Sequence, residues 1–298
     1  MKRTVFCLIV VLLLLLIMLP FSTALVENKT IYVDDDNING PWDGTIEHPY
    51  KKIQNGIDAA NDGDTVFVFN GFYDGYHDIY DKDIDLIGEN NELTIIDGRL
   101  YISSTGATIS GFTFQNSEKD GITFYQGNSN TISNNIIKSN DIGINIIKSN
   151  NNLIIHNVIS ENEDAGIILE SCTSNHIEHN EISNAPHGTG MRIFTIRNTL
   201  IDKNNIYNTK WGITILSEIE RQIFTDQNKI INNNFKDNSI HAGISADWSS
   251  VVYTRFFHNY WGKPRIFPKI IWYIDRGGNE CFMPCNIDFH PALLPIRN

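Results

Sequence analysis

Basic residues are scarce in this 298-residue chain, which has 23 Lys and Arg against 35 Asp and Glu, for a formal net charge of −12 at pH 7. Nucleic-acid partners require Lys and Arg to neutralise their phosphates, so we expect none here. The same charge disfavours direct binding of polyanionic sugars unless a cation bridges them. Hydrophobic residues make up 41% of the chain, which is enough for one continuous core.

Cysteine is equally scarce, with four residues in the whole chain. No four-ligand zinc pattern is present. Cys281 and Cys285 are the candidate disulfide pair, which would staple a C-terminal loop. Cys172 then stands alone, and we expect it to be a packed thiol.

Long apolar runs are lacking beyond the N-terminus. Thr4 to Met18 is an apolar run that follows Lys2 and Arg3 and precedes the small residues Ser22 to Ala24. This pattern predicts a secretory signal peptide over residues 1–24 and a secreted or cell-surface protein. The run is short for a membrane span of about 20 residues. An uncleaved anchor, the alternative, would be the only contact with a membrane.

What the sequence has in abundance is a repeat. A glycine followed by an apolar residue recurs every 22 to 24 residues, and three columns of asparagine keep the same period. The glycine pairs are Gly121-Ile122, Gly143-Ile144, Gly166-Ile167, Gly190-Met191, Gly212-Ile213 and Gly243-Ile244. The asparagine columns are Asn116, Asn140, Asn162, Asn184, Asn208 and Asn238; Asn135, Asn157, Asn180, Asn204 and Asn233; and Asn130, Asn152, Asn175, Asn198 and Asn228. All four markers lengthen together around Ser217–Gln227, which we predict to protrude as a loop.

Each period contains three short runs of alternating apolar residues, such as Leu153–Ile155, Val158–Ser160 and Gly166–Glu170. Three strands in about 22 residues predict an all-β, right-handed parallel β-helix. One inward stack would contain Ile132, Ile154, Ile177, Ile201 and Ile230; a second Ile137, Ile159, Ile182, Ile206 and Phe235; and a third Ile122, Ile144, Ile167, Met191, Ile213 and Ile244.

The asparagines and glycines of the repeat are interpreted as architecture. Asparagine tolerates the left-handed region at tight corners and can bond along the axis to the asparagine of the next coil. The glycine before the third strand is expected to supply a positive φ.

Both ends of the coil require caps, because stacked strands otherwise expose unpaired edges. Tyr50–Ala60 is predicted to be a short amphipathic helix ahead of a first strand at Thr65–Phe69. The predicted organisation is a signal peptide (1–24), an N-terminal capping segment (25–64), the β-helix (65–262) and an irregular C-terminal capping tail (263–298).

The segments "IYVDDDN", "GPWDGTIEHPYKKIQNGIDAANDGDTVFV" and "NYWGKP", joined by these coils, resemble secreted β-helix proteins of the pectin-lyase-like, NosD-like class. The resemblance covers most of the mature chain and is specific for the fold. It implies a carbohydrate-binding or sugar-hydrolase module, although the class holds lyases, hydrolases, epimerases and adhesins. A copper role by analogy has little support, because Met and Cys are scarce.

Candidate functional residues lie on the outer face of the third strand and its corners, where polysaccharide would meet carboxylates, a base and aromatic rings. The proposed catalytic residues are Glu170, His187, Arg192 and Asp247, and the proposed ligand-binding aromatics are Trp211 and Trp248. The competing interpretation is ordinary surface, with Glu170 and Arg192 as a diagonal ion pair. The pattern departs from pectate lyases and polygalacturonases, because no Asp column flanks Arg192 and the third strand has no set of paired aspartates on neighbouring coils.

Two further sites are possible. Glu178 and Asp202 occupy one outward column on successive coils, beside His176 and His179, and could bind a ligand, hold a cation or act as a carboxylate pair. Asp34, Asp35 and Asp36 lie in an oxygen-rich loop that could hold Ca²⁺, the one cofactor that the sequence suggests, although a turn is the default interpretation.

The leading hypothesis is a monomeric exported β-helix that binds polysaccharide without turning it over. A polysaccharide lyase or glycoside hydrolase that uses the outward carboxylates is the second. A purely structural envelope protein is the third.

Overall fold

A computed structural model describes residues 27–217, 226–246 and 253–263, together with 269–270, 272–274, 280–281, 287–288, 291–292 and 294–296 of the tail. The predicted signal peptide and most of the Ser217–Gln227 insertion lie outside the described residues, as does Cys285 of the candidate disulfide. Those three expectations and the domain boundaries stay predictions.

Twenty-six strands and one helix are present in the described part of the chain. The helix is α1 (Ile53–Ala59). The strands are β1 (Thr30–Val33), β2 (Thr65–Val68), β3 (Gly71–Tyr80), β4 (Asp85–Gly88), β5 (Thr94–Ser103), β6 (Thr108–Ser110), β7 (Thr113–Gln115), β8 (Asp120–Tyr125), β9 (Thr131–Ser133), β10 (Ile136–Lys138), β11 (Ile142–Ile147), β12 (Leu153–Ile155), β13 (Val158–Ser160), β14 (Ala165–Glu170), β15 (His176–Glu178), β16 (Glu181–Phe194), β17 (Leu200–Asp202), β18 (Asn205–Ser217), β19 (Asp226–Ile231), β20 (Asn234–Lys236), β21 (Ile240–Ala246), β22 (Tyr253–Phe257), β23 (Lys269–Ile270), β24 (Trp272–Ile274), β25 (Glu280–Cys281) and β26 (Ile287–Asp288).

Two long, mainly parallel sheets form the body. The first strands of the coils make a ten-stranded sheet in the order β1-β2-β4-β6-β9-β12-β15-β17-β19-β22. The second and third strands share a fourteen-stranded sheet, because β3, β5, β16 and β18 run through the corner between them. The predicted fold, an all-β right-handed parallel β-helix, is confirmed.

The predicted inward stacks form as continuous columns. Ile132, Ile154, Ile177, Ile201 and Ile230 pair in register, and all are fully buried. The third stack differs at its last rung, where Ala242 and not Ile244 lies opposite Ile213. The register of β21 against β18 is therefore shifted by two residues from the predicted one. Because side chains alternate between the two faces of a strand, a shift of two keeps Ile244 inward, opposite Ile215.

Asparagine side chains form buried ladders along the axis. In the column Asn135, Asn157, Asn180, Asn204, Asn233 and Asn259, every residue is at most 1% exposed. Asn157 donates from its backbone N–H (3.0 Å) and its side-chain amide (3.1 Å) to Oδ1 of Asn180. The same amide donates to the carbonyl of Ile132 one rung back, at 2.9 Å. Each asparagine therefore ties three rungs together.

The left-handed corner positions are the residues directly before the ladder asparagines. Asn134 (φ 55°), His179 (φ 54°) and Lys203 (φ 51°) each precede a ladder residue that is itself not left-handed. The predicted columns therefore mix two roles. Asn116, Asn184 and Asn208 are left-handed, and in the third column the ladder position is taken by Thr199, while Asn198 is left-handed.

The repeated glycines do not supply positive φ, so that prediction is wrong. Gly143, Gly166, Gly190 and Gly212 lack a left-handed backbone, but a Cβ would not fit there. At Gly166 it would lie 2.6 Å from Cγ2 of Ile182 and 2.7 Å from the carbonyl oxygen of Gly190. The glycine is required because neighbouring coils approach too closely for a side chain.

Helix α1 covers the N-terminal end of the core, as the sequence predicts, with Ile53 and Ile57 buried. The parallel ladder begins at β1, which pairs with β2, so Thr65–Phe69 is not the first strand. At the other end, the tail forms the antiparallel pairs β24–β25 and β23–β26. Cys172 is a packed thiol, 1% exposed.

Asp288, in β26, terminates the asparagine ladder. Its Oδ2 accepts from the backbone N–H (3.0 Å) and the side-chain amide (3.2 Å) of Asn259, and from Nε1 of Trp261 (3.1 Å). A carboxylate suits this end of the ladder, because the groups that Asn259 and Trp261 direct at it are all hydrogen-bond donors.

Replacing Asn135 by Ala tests the ladder. The loss leaves the buried backbone N–H of Phe112 and carbonyl of Ile109 without their partner. We expect the free energy of unfolding to fall by about 3 kcal/mol, measured by denaturant unfolding. Asn134→Gly is the matched control; it keeps the left-handed backbone and should cost less than about 1 kcal/mol. Equal losses in the two variants would contradict the ladder's role.

Candidate functional site

Arg192 is held by Asp164. Its two terminal nitrogens lie 2.7 Å from the two carboxylate oxygens of Asp164, in a bidentate ion pair. The expected diagonal pair with Glu170 is therefore absent from the described residues. The expectation that no Asp column flanks Arg192 is also wrong, because Asp141 and Asp164 stand at equivalent positions directly before β11 and β14.

The carboxylates at these corners change the pKa of one of their number, Asp141. Burial and the nearby charges of Asp164 and Glu163 raise the pKa of Asp141 above its ordinary value. An adjoining cavity of about 580 Å³ is lined by Glu118, Asp141, Glu163 and residues of the same corners.

The other residues proposed for catalysis are not brought together. Glu170 lies outward between Ile147 and Phe194 on the neighbouring rungs, and His187 is exposed. Trp211 is half-buried beside Thr189. Ser245, and not Asp247, stands opposite Leu216; Asp247 and Trp248 lie outside the described residues. No hydrogen bond joins Glu170, His187 and Arg192 to one another in the described structure.

Glu178 and Asp202 do stand side by side on β15 and β17, as predicted. Asp202, however, accepts from the side-chain amide of Asn232 at 2.8 Å. His179 approaches His156 of the preceding coil, with ring centroids 5.1 Å apart. Glu178 and Asp202 therefore form a pair of carboxylates, and His156 and His179 form a pair of imidazoles beside them.

Of the aspartates after β1, Asp34 stabilises the turn and Asp35 connects the turn to β3. Oδ1 of Asp34 accepts from the backbone N–H of Asp36 at 3.0 Å, and Oδ2 of Asp35 accepts from that of Phe72 at 3.0 Å. Over the described ranges, no group of three His, Cys, Asp or Glu side chains is placed to hold a metal ion. The calcium prediction gains no support from this turn.

Sequence reasoning missed most of a tyrosine platform on the first three rungs of the third strand. Tyr76 and Tyr80 of β3 are 49% and 56% exposed. Tyr101 of β5 packs on Tyr80 with ring centroids 5.6 Å apart, and Tyr125 ends β8 on the next rung. These four residues present aromatic faces over roughly 10 Å of the axis, at a strand spacing of about 4.8 Å.

Two cations lie over the tyrosine platform. The guanidinium of Arg99 is 4.9 Å from the ring centroid of Tyr76, and Nζ of Lys148 is 5.7 Å from that of Tyr125. Burial, together with the neighbouring Tyr80, raises the pKa of Tyr101 to about 12, so its hydroxyl stays protonated at neutral pH. The face combines uncharged aromatic rings with hydrogen-bonding hydroxyls and fixed positive charge.

A buried histidine lies where the platform meets α1. His77 occupies the first position of the inward column that continues through Leu100 and Ile122. It is 5% exposed, and neither ring nitrogen has a hydrogen-bond partner. Burial lowers the pKa of His77 to about 4, an effect that Asp74 partly offsets, so the ring is neutral at pH 7.

The family model described as "Periplasmic copper-binding protein (NosD)" matches residues 57–266. The chain belongs to the NosD family. A comparison with curated proteins finds no match. No helix of the described residues is long and apolar enough to cross a membrane.

Solved structures share the fold of this NosD-family chain. The Agl-KA catalytic domain is 15% identical (TM-score 0.60; 84% of this chain and 50% of that one), and the pectate lyase Pel9A is 14% identical (TM-score 0.51; 77% of each). DFA-IIIase from Arthrobacter chlorophenolicus A6 is 12% identical (TM-score 0.52; 78% of this chain and 69% of that one). At these identities the similarity shows the fold alone.

The donors of this NosD-family chain do not fit a copper site in the part of the molecule that is described. Copper favours thiolate, thioether and imidazole ligands. Cys172 is buried and its pKa is raised by burial to about 11, so it stays a thiol. Met191 lies in the inward column with no exposed surface. His156 and His179 make a pair without a third such ligand in the described ranges.

His77 predicts an acid-sensitive stability. Its pKa is 6.5 in an unfolded chain and about 4 when folded, so the unfolded state takes up the proton first. The resulting loss of stability begins as the pH falls below 6.5 and is complete near pH 4, at up to about 3 kcal/mol. His77→Leu should remove this component, measured as the difference between the two proteins in denaturant unfolding from pH 7 to 4. Parallel pH curves would show that His77 does not titrate this way.

Proposed function

We propose that this chain is an exported, monomeric β-helix module that binds extracellular or cell-surface polysaccharide along the tyrosine platform. The observation that carries the proposal is a set of four tyrosines on three successive rungs of the fourteen-stranded sheet, of which Tyr76 and Tyr80 are exposed and Tyr101 and Tyr125 are partly exposed. Monomeric proteins rarely expose contiguous aromatic surface without using it for recognition. Tyrosine combines an apolar ring face with a polar hydroxyl, which suits a sugar ring with its own apolar face and hydroxyl rim.

The geometry of the platform supports an extended ligand. Tyr80, Tyr101 and Tyr125 lie on three successive rungs at the constant strand spacing, so a linear polymer can lie across several rungs. Arg99 and Lys148 stand over the rings and can donate hydrogen bonds to sugar oxygens. The N-terminal pattern and the periplasmic description of the family support export.

Proteins that share the fold are consistent with a carbohydrate ligand. One is a pectate lyase, and another is a complex of XylC with xylose (TM-score 0.57, 11% identity). They support a sugar ligand for this chain and no particular glycan.

Replacing both Tyr101 and Tyr125 by Ala tests the platform. We expect the affinity for the retained polysaccharide to fall about tenfold or more, since two aromatic contacts of about 1 kcal/mol each are lost. Affinity electrophoresis against a panel of neutral and acidic polysaccharides measures this, at low and at 1 M salt, because stacking resists screening.

The control for that pair is Phe257→Ala. Phe257 is an aromatic residue that is 48% exposed. It lies on β22, the last strand of the ten-stranded sheet, whereas the platform lies on the fourteen-stranded sheet. Its replacement should leave retention unchanged. Retention of no glycan by the native protein would contradict the proposal and favour a structural role.

A catalytic role has one observation in its favour, the raised pKa of Asp141 beside Asp164 and Glu163. A carboxyl group whose pKa is raised is a candidate general acid. New reducing ends or unsaturated sugars after incubation with the panel, lost in Asp141→Asn, would establish an enzyme in place of a binding module.

A further inference from the structure

A cavity of about 550 Å³ opens beside the tyrosine platform, between the start of α1 and the bend of β3. We call it the His77 pocket. Its lining includes Asp35 from the turn after β1, Lys51 and Lys52 just before α1, and Phe72, Asp74, Tyr76 and His77 of β3. Tyr76 belongs to both the pocket and the platform, so the two sites are continuous.

Two buried polar groups in the pocket are left without partners. His77 is 5% exposed, and both of its ring nitrogens lack a hydrogen bond. Every other described position of its column, from Leu100 through Ile213 to Ala242, is apolar. A leucine would fill the place without an unpaired polar atom, so the fold alone gives no reason for histidine here.

Asp35 contributes the second group. Its Oδ2 accepts from the backbone N–H of Phe72 at 3.0 Å, while its Oδ1 is buried and has no partner. The carboxylate presses so closely on β3 that a Cβ at Gly71 would lie 2.0 Å from Oδ1. Glycine at this position therefore lets the carboxylate of Asp35, a lining residue of the pocket, pack directly against β3.

These groups define the chemistry of a ligand. A bare carboxylate oxygen requires a donor, and a neutral imidazole offers one donor and one acceptor. Hydroxyl groups satisfy both. The two carboxylates of the lining, Asp35 and Asp74, are balanced by Lys51 and Lys52, so the pocket has no excess charge that would select an ion. A metal ion would need a third ligand that the described residues do not place there. Phe72 (53% exposed) and Tyr76 (49% exposed) line the mouth with aromatic faces.

We propose that the His77 pocket binds one uncharged, terminal sugar residue of the polysaccharide that lies on the tyrosine platform. This inference rests on the proposed function, and it assigns the pocket as the site where the glycan chain ends. His77 and Asp35 bind hydroxyls of that residue, and Tyr76 stacks on its ring.

The test uses the full chain with ¹⁵N-labelled histidine. Glucose, galactose, mannose, xylose and N-acetylglucosamine are titrated separately, with glucuronate and galacturonate as the charged arms, while imidazole resonances are recorded. At least one neutral sugar should shift the His77 signals in a saturable manner and leave those of exposed His48 unmoved. Failure of every neutral sugar to move His77 would overturn the proposal, as would equal or tighter binding of a uronate.

His77→Leu supplies the second readout. Leucine continues the column of Leu100, so the variant should fold, and we expect at least a tenfold loss of affinity for the active monosaccharide by calorimetry. Asp35→Asn keeps an acceptor for Phe72 and should weaken binding as well, which covers the case in which His77→Leu fails to fold. His48→Leu, outside the pocket, is the control. Unchanged affinity in His77→Leu, or in Asp35→Asn, would contradict the assignment.

The outcomes separate this proposal from the one it rests on. Polysaccharide retention that depends on Tyr101 and Tyr125, without any response of His77, overturns the pocket alone. Monosaccharide binding at His77 without retention of polysaccharide overturns the platform and leaves a small-sugar site.

Discussion

The buried asparagine ladder is the interaction on which the rest of this molecule depends. Each coil must turn sharply, and the turning backbone is buried against the coils on both sides. Asparagine alone among short side chains carries an amide donor and a carbonyl acceptor, so one residue type can serve the rung ahead and the rung behind. Asn157 shows both functions: its amide donates to Oδ1 of Asn180 and to the carbonyl of Ile132, and its Oδ1 accepts from the backbone N–H and the side-chain amide of Asn135. The ladder runs to Asp288, whose carboxylate ends it.

The ladder separates architecture from function. Because corners and inward stacks repeat, each outward position reappears at a fixed spacing and is free to vary. Tyrosines occupy the outward positions of the early rungs, and the Asp141, Asp164 and Arg192 cluster lies on the middle ones. Polar or aromatic residues that interrupt the repeat are where recognition is to be sought, and His77 is such a residue inside the core.

The repeating part of the fold could be predicted closely from the sequence. Ile132 and its partners identify an inward column because alternation and a constant period together fix register. Contacts between coils were harder to foresee. The role of Gly166 depends on how near Gly190 and Ile182 come, and the bond from Arg192 to Asp164 depends on side-chain reach across a rung. The spacing of residues along the sequence predicts neither of these two contacts. Tyr80 and Tyr101 escaped notice because β3 and β5 lack the asparagine and glycine markers, and the helical pattern of α1 says nothing of the pocket beneath it.

The central claim is that polysaccharide lies on the tyrosine platform, and tyrosine-selective NMR tests it most directly. The chain has 11 tyrosines, and Tyr207 and Tyr260 line a separate cavity of about 260 Å³ at the other end of the coil, which serves as an internal reference. With ¹³C-labelled tyrosine rings and soluble fragments of a retained glycan, the account predicts shifts at Tyr76, Tyr80, Tyr101 and Tyr125, and none at Tyr207 or Tyr260. Shifts confined to Tyr207 and Tyr260, or to no tyrosine at all, would contradict it.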